Sequence, residues 1–252
     1  AEKGYASFKL EVDVPGGHSS RPSKVNAPAL LIRACEKVNS HSFRANIKGP
    51  FGRLLSAAGP HMGFWKRFAL ANLWITGPLV KAWLSSDPHV GSLTRTTAVV
   101  TMMSCGVKDN VIPAHAEAVV NTRPGFGQDP AGVMDELIRA IGDKRVKVTP
   151  LGVQILPSEM ARLDDERFAL LSGLIGSYFK GAALLPAVLT GGTDTKHFAD
   201  MCDAVFRFVP VELPQEISAG VHGINERIPV EGYRSMVCFY MEFMRNASAM
   251  GA

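Results

Sequence analysis

Two histidines lie in glycine-containing loops, where an imidazole can reach a metal ion or a substrate. His18 follows a strand-like run in the segment PGGHSSRPSK, and His222 precedes the last predicted helix in GVHGINERIPVEGY. His18 could polarise a substrate carbonyl, bind a metal ion or only terminate the strand. His222 could face a metal or a substrate, or it could be an ordinary surface histidine. Glu226 nearby is either a partner that orients His222 or a carboxylate at a helix start.

Groups suited to a carboxylate ligand lie in two further segments. Gly191, Gly192 and Thr193 form a turn between a predicted strand and a predicted helix. Its backbone N–H groups and the threonine hydroxyl could hold an anion, although a plain structural turn is the alternative. Asn110 begins a predicted strand that ends at Arg123, and both could contact one polar ligand. A planar guanidinium suits a carboxylate, while solvation at the surface is the default interpretation of a single arginine.

The composition is that of a globular protein and excludes several other classes. With 46% hydrophobic and 20% charged residues in 252, a disordered, collagen-like or coiled-coil chain is not expected. The net charge is only +4, and the basic residues are scattered among acidic ones, so nucleic acid is not an expected partner. No apolar run is long enough for a transmembrane span. The four cysteines contain no C-x-x-C pair, which argues against a zinc knuckle and leaves the cellular compartment open.

The elements that must position these residues follow a recognisable order in the first 150 residues. Alternating or β-branched runs predict strands, and caps followed by apolar residues at helical spacing predict helices. The resulting order of strand, helix, strand, strand, helix, strand is that of a ferredoxin-like sandwich. The strands are predicted at residues 4–14, 94–104, 116–122 and 145–149, and the helices after Asn26 and Asp129.

An insertion at about residues 44–93 separates the first predicted helix from the second strand. Its apolar centre, residues 64–84, carries all three tryptophans but is interrupted by Lys66, Arg67 and Gly77-Pro78. A helical hairpin packed on its own domain is the favoured interpretation, because aromatic clusters usually belong to a core. A surface that faces lipid or a partner is the alternative.

The second part of the chain shows a different pattern, and a domain boundary is predicted near residue 157. Strands alternate there with helices, which indicates an α/β arrangement with ligands near glycine turns at strand ends. The predicted strands are residues 186–189 and 204–208, and the predicted helices are residues 164–179, 195–201 and 230–244.

Four segments in this order resemble the M20 family of dinuclear-zinc peptidases, in its carboxypeptidase S and N-acyl-amino-acid hydrolase branch. They are EKGYASFKLEVDVPGGHSSRPS, RTTAVVTMMSCGVKDNVIPAHAEAVVNTRPG, TGGTDTKHFADMCDAVFRFVP and GVHGINERIPVEGY. The resemblance covers essentially the whole chain, including the insertion. It implies a ferredoxin-like lid, or dimerisation, domain at residues 1–157, followed at 158–252 by the C-terminal part of an α/β catalytic domain.

The resemblance also implies roles for single residues. His222 corresponds to the family's last metal-ligand histidine at a site that holds two zinc ions. His18 corresponds to the lid histidine that stabilises a developing oxyanion. The remaining matched positions hold an oxygen atom of the substrate or its free carboxylate, and they are Asn110, Arg123, Gly191, Gly192 and Thr193.

The sequence departs from the family pattern in the region before the lid. An H-x-D motif, a bridging aspartate, a Glu-Glu pair and a further acidic ligand are absent. The resemblance places Glu2 on the strand that starts the lid, so no metal is assigned to it. The parent enzyme is expected to cleave amide bonds of N-acyl amino acids or small peptides with a free C-terminal carboxylate.

This chain alone is expected to be inactive and not to retain the zinc ions. The expected partners are a second copy bound through the lid or the missing N-terminal part of the same enzyme. The alternative function is a non-catalytic dimerisation or carboxylate-binding module.

Overall fold

A computed structural model describes residues 1–199, 201–202 and 204–250, which form two compact units. The N-terminal unit contains Ala1–Met160 and Pro186–Lys196. The C-terminal unit contains Ala161–Leu185 and His197–Ala252.

The N-terminal unit has the predicted ferredoxin-like architecture. Four antiparallel strands form one sheet in the order β3-β5-β1-β6, and β2 pairs with β4 in a short ribbon. Helices α1 and α6 contribute buried residues to the same core as the sheet. The strands are β1 (Tyr5–Asp13), β2 (Gly17–His18), β3 (Thr97–Cys105), β4 (Val111–Ile112), β5 (His115–Arg123) and β6 (Val146–Ile155); the two helices are α1 (Ala27–Ser40) and α6 (Pro130–Ile141).

Alternation along β1 and β5 decides which side chains form this core. Phe8 and Leu10 point inward and lie opposite Val120 and Ala118 of β5, and all four are buried. Odd-numbered residues of both strands lie on the other face, because successive side chains of a strand point to opposite sides. The face opposite the helices therefore carries the polar residues of the two central strands.

Side-chain caps fix the starts of both core helices, as the sequence predicts. The Oδ1 atom of Asn26 accepts a hydrogen bond of 2.9 Å from the backbone N–H of Ala29. Asp129 accepts one of 2.6 Å from the N–H of Gly132. Each cap satisfies an N–H group that has no partner within its helix.

The insertion forms four helices with a small core of their own. Phe51, Leu55, Val80 and Leu84 are buried together, whereas the three tryptophans are exposed. The prediction that the aromatic residues form a core is therefore wrong for the tryptophans. No helix in the described part of the chain combines the length and apolar character that crossing a membrane requires. The four helices are α2 (Gly49–Ala58), α3 (Phe64–Ala71), α4 (Leu73–Ser86) and α5 (Pro88–Thr94).

The C-terminal unit consists of helices and irregular segments. Its core contains Leu171, Leu174, Ile175 and Phe239. Its long helices agree with the prediction, but residues 204–208 form no strand. The predicted strand at residues 186–189 belongs to the N-terminal unit, where Leu189 makes only an isolated bridge with Glu2. A strand needs a neighbour to accept and donate its backbone hydrogen bonds. The helices are α7 (Glu166–Tyr178), α8 (Gln215–Ser218) and α9 (Val230–Met250). In place of the predicted helix at 195–201, the structure has a short 3-10 helix at Asp194–His197, and Asp200 lies outside the described residues.

Candidate functional site

The predicted glycine turn holds a carboxylate, and that carboxylate belongs to Glu2. The backbone N–H of Thr193 donates to Glu2 Oε1 at 2.8 Å, and the Thr193 hydroxyl donates to Oε2 at 2.6 Å. The Thr195 hydroxyl adds a third bond of 3.0 Å. Glu2 is buried, so these charge-assisted bonds offset the cost of removing the carboxylate from water. The polar groups of Thr193 are thus engaged within the chain.

Arg123 lies beside this turn. Its Cζ atom is 4.9 Å from the centre of the Tyr5 ring, so the guanidinium stacks over an aromatic face. A Cβ atom added to Gly192 would lie 3.5 Å from Arg123 Nη1 and 3.8 Å from Glu2 Oε1. The ion pairs between described residues do not include Arg123. Its charge is therefore available to an external anion.

Gly192 lies next to Arg123, and Gly191 precedes it in the same turn. Both glycines are exposed, and their N–H groups make no hydrogen bond within the described residues. Backbone N–H groups and a guanidinium are both donors that suit a carboxylate. Binding of an external anion at this turn stays a prediction, with Arg123 and the two glycines as candidate donors.

Lys3 is a buried cation near the half-buried Arg123. Its ammonium donates to the carbonyl oxygens of Ser92 at 2.9 Å and Arg95 at 2.8 Å, which joins the start of the chain to the end of the insertion. Burial is the main factor that lowers the pKa of Lys3 to about 8, and the positive charge of Arg123 is the second. An anion bound at Arg123 would relieve this repulsion. The sequence analysis missed Lys3, because nothing in the local pattern indicates its burial.

His18 and Asn110 lie together at the tip of the lid. The ribbon of β2 and β4 sets His18 opposite Val111, and the backbone N–H of Ser19 donates to the carbonyl oxygen of Asn110 at 3.2 Å. The backbone N–H of Ser20 donates to His18 Nδ1 at 3.2 Å. Because Nδ1 accepts this bond, the neutral ring carries its proton on Nε2. The exposed imidazole therefore presents an N–H donor to solvent.

The tip and the glycine turn lie at opposite ends of the lid sheet. Arg123 is the last residue of β5, whereas the ribbon that carries His18 continues beyond the first residue, His115. A strand of nine residues, at about 3.4 Å per residue, separates the two groups by roughly 27 Å. The predicted contact of Asn110 and Arg123 with one small ligand is therefore impossible within a single copy.

His222 belongs to the C-terminal unit and is described with that unit alone. It is exposed, its φ angle is 63°, and its backbone N–H donates to Glu226 Oε2 at 3.1 Å. A left-handed backbone is uncommon for a residue other than glycine and costs roughly 1 kcal/mol or more, which draws attention to a functional role. The described residues bring no group of three metal-binding side chains together at His222.

The sequence analysis missed a polar cluster on the outer face of the lid sheet. Ligand atoms of Glu11, His115 and Glu117 lie within 4.8 Å of one another. The ammonium of Lys9 pairs with Glu11 at 2.8 Å and with Glu117 at 3.5 Å, and Asp13 accepts from His115 Nδ1 at 2.8 Å. The ammonium of Lys9 thus already pairs with both glutamates of this cluster. The sequence shows polar residues at alternate positions of β1 and β5. Only the register between the two strands shows that these side chains meet on one face.

Comparison with known proteins identifies the N-terminal part of the chain. A family model described as the M20 peptidase dimerisation domain matches residues 1–149. The chain is 32% identical over 246 residues to "Probable carboxypeptidase S-like 2" of Dictyostelium discoideum, covering 97% of this chain and 47% of that protein. It is also 32% identical over 250 residues to "N-fatty-acyl-amino acid synthase/hydrolase PM20D1.1" of Danio rerio, covering 98% and 48%. The chain thus spans about half the length of these relatives.

A solved structure shares the fold over most of the chain. It is the M20 family metallo-carboxypeptidase Sso-CP2 of Sulfolobus solfataricus, with a TM-score of 0.58 and 17% identity. The match covers 96% of this chain and 57% of that structure. This likeness agrees with the ferredoxin-like lid described above.

Replacing Glu2 tests the internal carboxylate. Glu2→Ala leaves the buried donors of Thr193 without their acceptor, so we expect the free energy of unfolding to fall by about 2–3 kcal/mol. Urea denaturation of the variant, with the exposed Glu159→Ala as the matched control, measures the difference. Equal effects of the two substitutions would contradict the assigned role.

Lys3 predicts a specific pH dependence of stability. Its folded-state pKa of about 8 lies below the value of 10.5 for an unperturbed lysine. The unfolded chain therefore holds more protons between these values, and the folded state gains stability as the pH rises through that window. Relative to Lys3→Met, the original chain should gain about 2 kcal/mol between about pH 7.5 and about pH 9.5.

Urea denaturation at both pH values measures this gain, and the exposed Lys144→Met serves as the control. A difference between the original chain and Lys3→Met that stays constant with pH would show that the pKa of Lys3 is not lowered.

Proposed function

This chain belongs to the M20 peptidase family, and on that premise we propose that it is part of a hydrolase for N-acyl amino acids or small peptides with a free C-terminal carboxylate. The observation that carries the proposal is the guanidinium of Arg123, which forms no ion pair among the described residues and lies next to Gly192 of the exposed glycine turn. A planar guanidinium is well suited to a carboxylate. The scissile amide would be the bond next to that carboxylate-bearing residue.

The printed names of the relatives support this substrate class. One is a carboxypeptidase S-like protein and another is an N-fatty-acyl-amino acid synthase/hydrolase. An N-acyl amino acid and a peptide both end in an amide followed by a free carboxylate. A single anchor at Arg123 would therefore serve either kind of substrate.

His18 is the proposed oxyanion donor. Its Nδ1 atom is engaged by the N–H of Ser20, so the donor of the neutral ring is Nε2–H. Attack on the amide carbonyl places negative charge on its oxygen, and a preorganised donor stabilises that charge more than the neutral carbonyl. Asn110, adjacent in the same ribbon, is the second proposed contact to substrate oxygen.

The distance between the two ends of the lid supports a homodimer. Since His18 and Arg123 are roughly 27 Å apart by the rise of the strand, one substrate cannot contact both in a single copy. We therefore assign His18 and Asn110 to the site of the partner subunit, with the lid at residues 1–157 as the dimerising domain. The exposed apolar side chains of Val99, Met102 and Met103 on the edge strand β3 support such an interface.

His222 is proposed as one ligand of the two-zinc centre of the family. One imidazole does not make such a site, and the remaining ligands would come from the part of the relatives' length that this chain does not span and from residues 158–252. When bound, such ions supply a coordinated water that ionises near neutral pH. The strained backbone at His222 and its bond to Glu226 support an oriented loop rather than a freely moving one.

The second candidate function is a dimerisation or carboxylate-binding module without chemistry. The match of residues 1–149 to a dimerisation domain favours it. Metal analysis and an activity assay of a protein that spans the full length of the relatives separate the two proposals. Two zinc ions per chain together with hydrolysis of an N-acyl amino acid would exclude the module, whereas a metal-free, inactive dimer would favour it.

Replacing Arg123 tests the carboxylate anchor in an enzyme that also carries the N-terminal region of the relatives. Loss of a charge-assisted contact should raise KM of Arg123→Ala by about 30–100-fold, with a smaller change in kcat. Steady-state kinetics with an N-acyl amino acid measure this split. Arg139→Ala, an exposed arginine on α6, should behave as the original enzyme, and an unchanged KM for Arg123→Ala would remove the assigned role.

Replacing His18 tests the oxyanion donor in the same enzyme. His18→Ala should lower kcat by roughly 100-fold or more, because the lost bond is strongest in the transition state. The exposed His61→Ala provides the control. Mixing His18→Ala with Arg123→Ala subunits should restore sites that contain both residues if they act across a dimer, and a mixture without regained activity would argue for separate sites within each copy.

A further inference from the structure

The insertion exposes several large aromatic side chains on α3 and α4. Trp65 and Trp74 are 78% and 83% exposed, which is unusual for the side chain that buries the most apolar surface. The members of this aromatic face lie on α3 and α4: Phe64, Trp65, Phe68, Trp74, Leu79 and Trp83.

Helix α4 is apolar on two sides. Leu73, Val80 and Leu84 contact the small core of the insertion. Ile75 and Leu79, four residues apart, lie on the exposed side. A helix that is apolar all round normally has both sides covered. The side of α4 with Ile75 and Leu79 is instead exposed in the described part of the chain.

Side-chain contacts connect α3 and α4 within the aromatic face. The rings of Phe64 and Trp65 meet edge-on at 5.2 Å, and Phe64 stacks with Phe68 at 6.4 Å. The Lys66 ammonium on α3 lies 5.7 Å from the ring centre of Trp83 on α4. These contacts join the rings of Phe64, Trp65 and Phe68 on α3, and the Lys66 ammonium links α3 to Trp83 on α4.

Up to residue 86 the charge of the insertion has a single sign, and Asp87 is its one acidic residue. Residues 37–86 contain no aspartate or glutamate. The basic residues within 44–86 are Arg44, Lys48, Arg53, Lys66, Arg67 and Lys81. A surface with exposed aromatic rings and only positive charge is complementary to a layer that is apolar inside and negatively charged at its boundary.

We propose that the aromatic face of α3 and α4 docks on the surface of an anionic phospholipid bilayer. The rings of Trp65 and Trp74 enter the boundary between headgroups and acyl chains, while Lys66 and Arg67 contact lipid phosphates. Helix α4 has 14 residues and contains Pro78, so it lies along the surface rather than across the bilayer. A second copy of the chain is a poor occupant, because a symmetric contact would bring two all-basic surfaces together.

The positions of the tryptophans make a direct test possible. The chain has three tryptophans, and all of them lie in α3 or α4, so intrinsic tryptophan fluorescence reports on the insertion alone. Mixed phosphatidylcholine and phosphatidylserine vesicles should shift the emission of the 252-residue chain to shorter wavelength. Phospholipids brominated on the acyl chains should quench it. Pure phosphatidylcholine vesicles should produce a smaller effect, and added salt should weaken binding to the anionic vesicles.

Matched variants separate this surface from general attraction by the net charge. Lys66→Glu with Arg67→Glu should weaken binding to the anionic vesicles by at least about 30-fold, since each basic residue near the bilayer contributes about a factor of five. Lys144→Glu with Lys180→Glu makes the same charge change at exposed positions outside the insertion and should have little effect. Trp65→Ser with Trp74→Ser should weaken binding by at least about tenfold. Circular dichroism verifies that each variant is folded.

Several outcomes would overturn the proposal. Emission that is unchanged by vesicles would do so, as would equal losses in the two charge-reversed pairs. A concentration-dependent dimer that Trp65→Ser abolishes would assign the surface to a second copy, and binding of single-stranded RNA in place of vesicles would assign it to nucleic acid. None of these readings requires enzymatic activity, so the test is independent of the proposed hydrolase function.

Discussion

The carboxylate of Glu2 accepts hydrogen bonds from Thr193 and Thr195 and so ties the start of the chain to a turn 191 residues later. This buried, charge-assisted contact fixes the turn against the end of β5, where Arg123 stacks on Tyr5. Together with the backbone hydrogen bonds that Leu189 makes with Ala1 and Lys3, it positions the glycine turn. The internal carboxylate also explains why Thr193 is a structural residue here, while the adjacent glycines remain open to an external anion.

The length of β5 imposes a second constraint. A rigid strand holds Arg123 at one end of the lid, and the ribbon with His18 and Asn110 continues past the other. Residues that would act on one substrate are therefore forced apart within a copy, and a paired arrangement of lids is the simplest way to unite them. In this view, dimerisation is part of how the site is assembled and not only a means of stabilising the chain.

The insertion differs from the rest of the lid in how many of its apolar side chains are buried. The sheet and helices α1 and α6 bury their apolar residues against one another. Helices α3 and α4 contribute apolar residues to the small core of the insertion and leave other apolar residues exposed. The aromatic cluster was visible in the sequence, but the prediction placed its side chains in a core. Periodicity does not show which of two apolar sides of a helix packs against a neighbour. The sequence also shows that α3 and α4 contain no acidic residue. This feature points to a negatively charged partner only because the aromatic rings are exposed.

The sequence by itself determined the ferredoxin-like order, the caps at Asn26 and Asp129 and the residue types of the glycine turn. These features are local, because alternation, capping and turn chemistry act over a few residues. The tertiary structure alone decided that Glu2 fills the Thr193 donors, that Lys3 is buried with a lowered pKa, and that Asn110 lies far from Arg123. It also decided that residues 204–208 form no strand, because a strand depends on a neighbour that no local pattern supplies. Contacts between residues distant in the chain depend on strand register and burial, which a single sequence does not reveal.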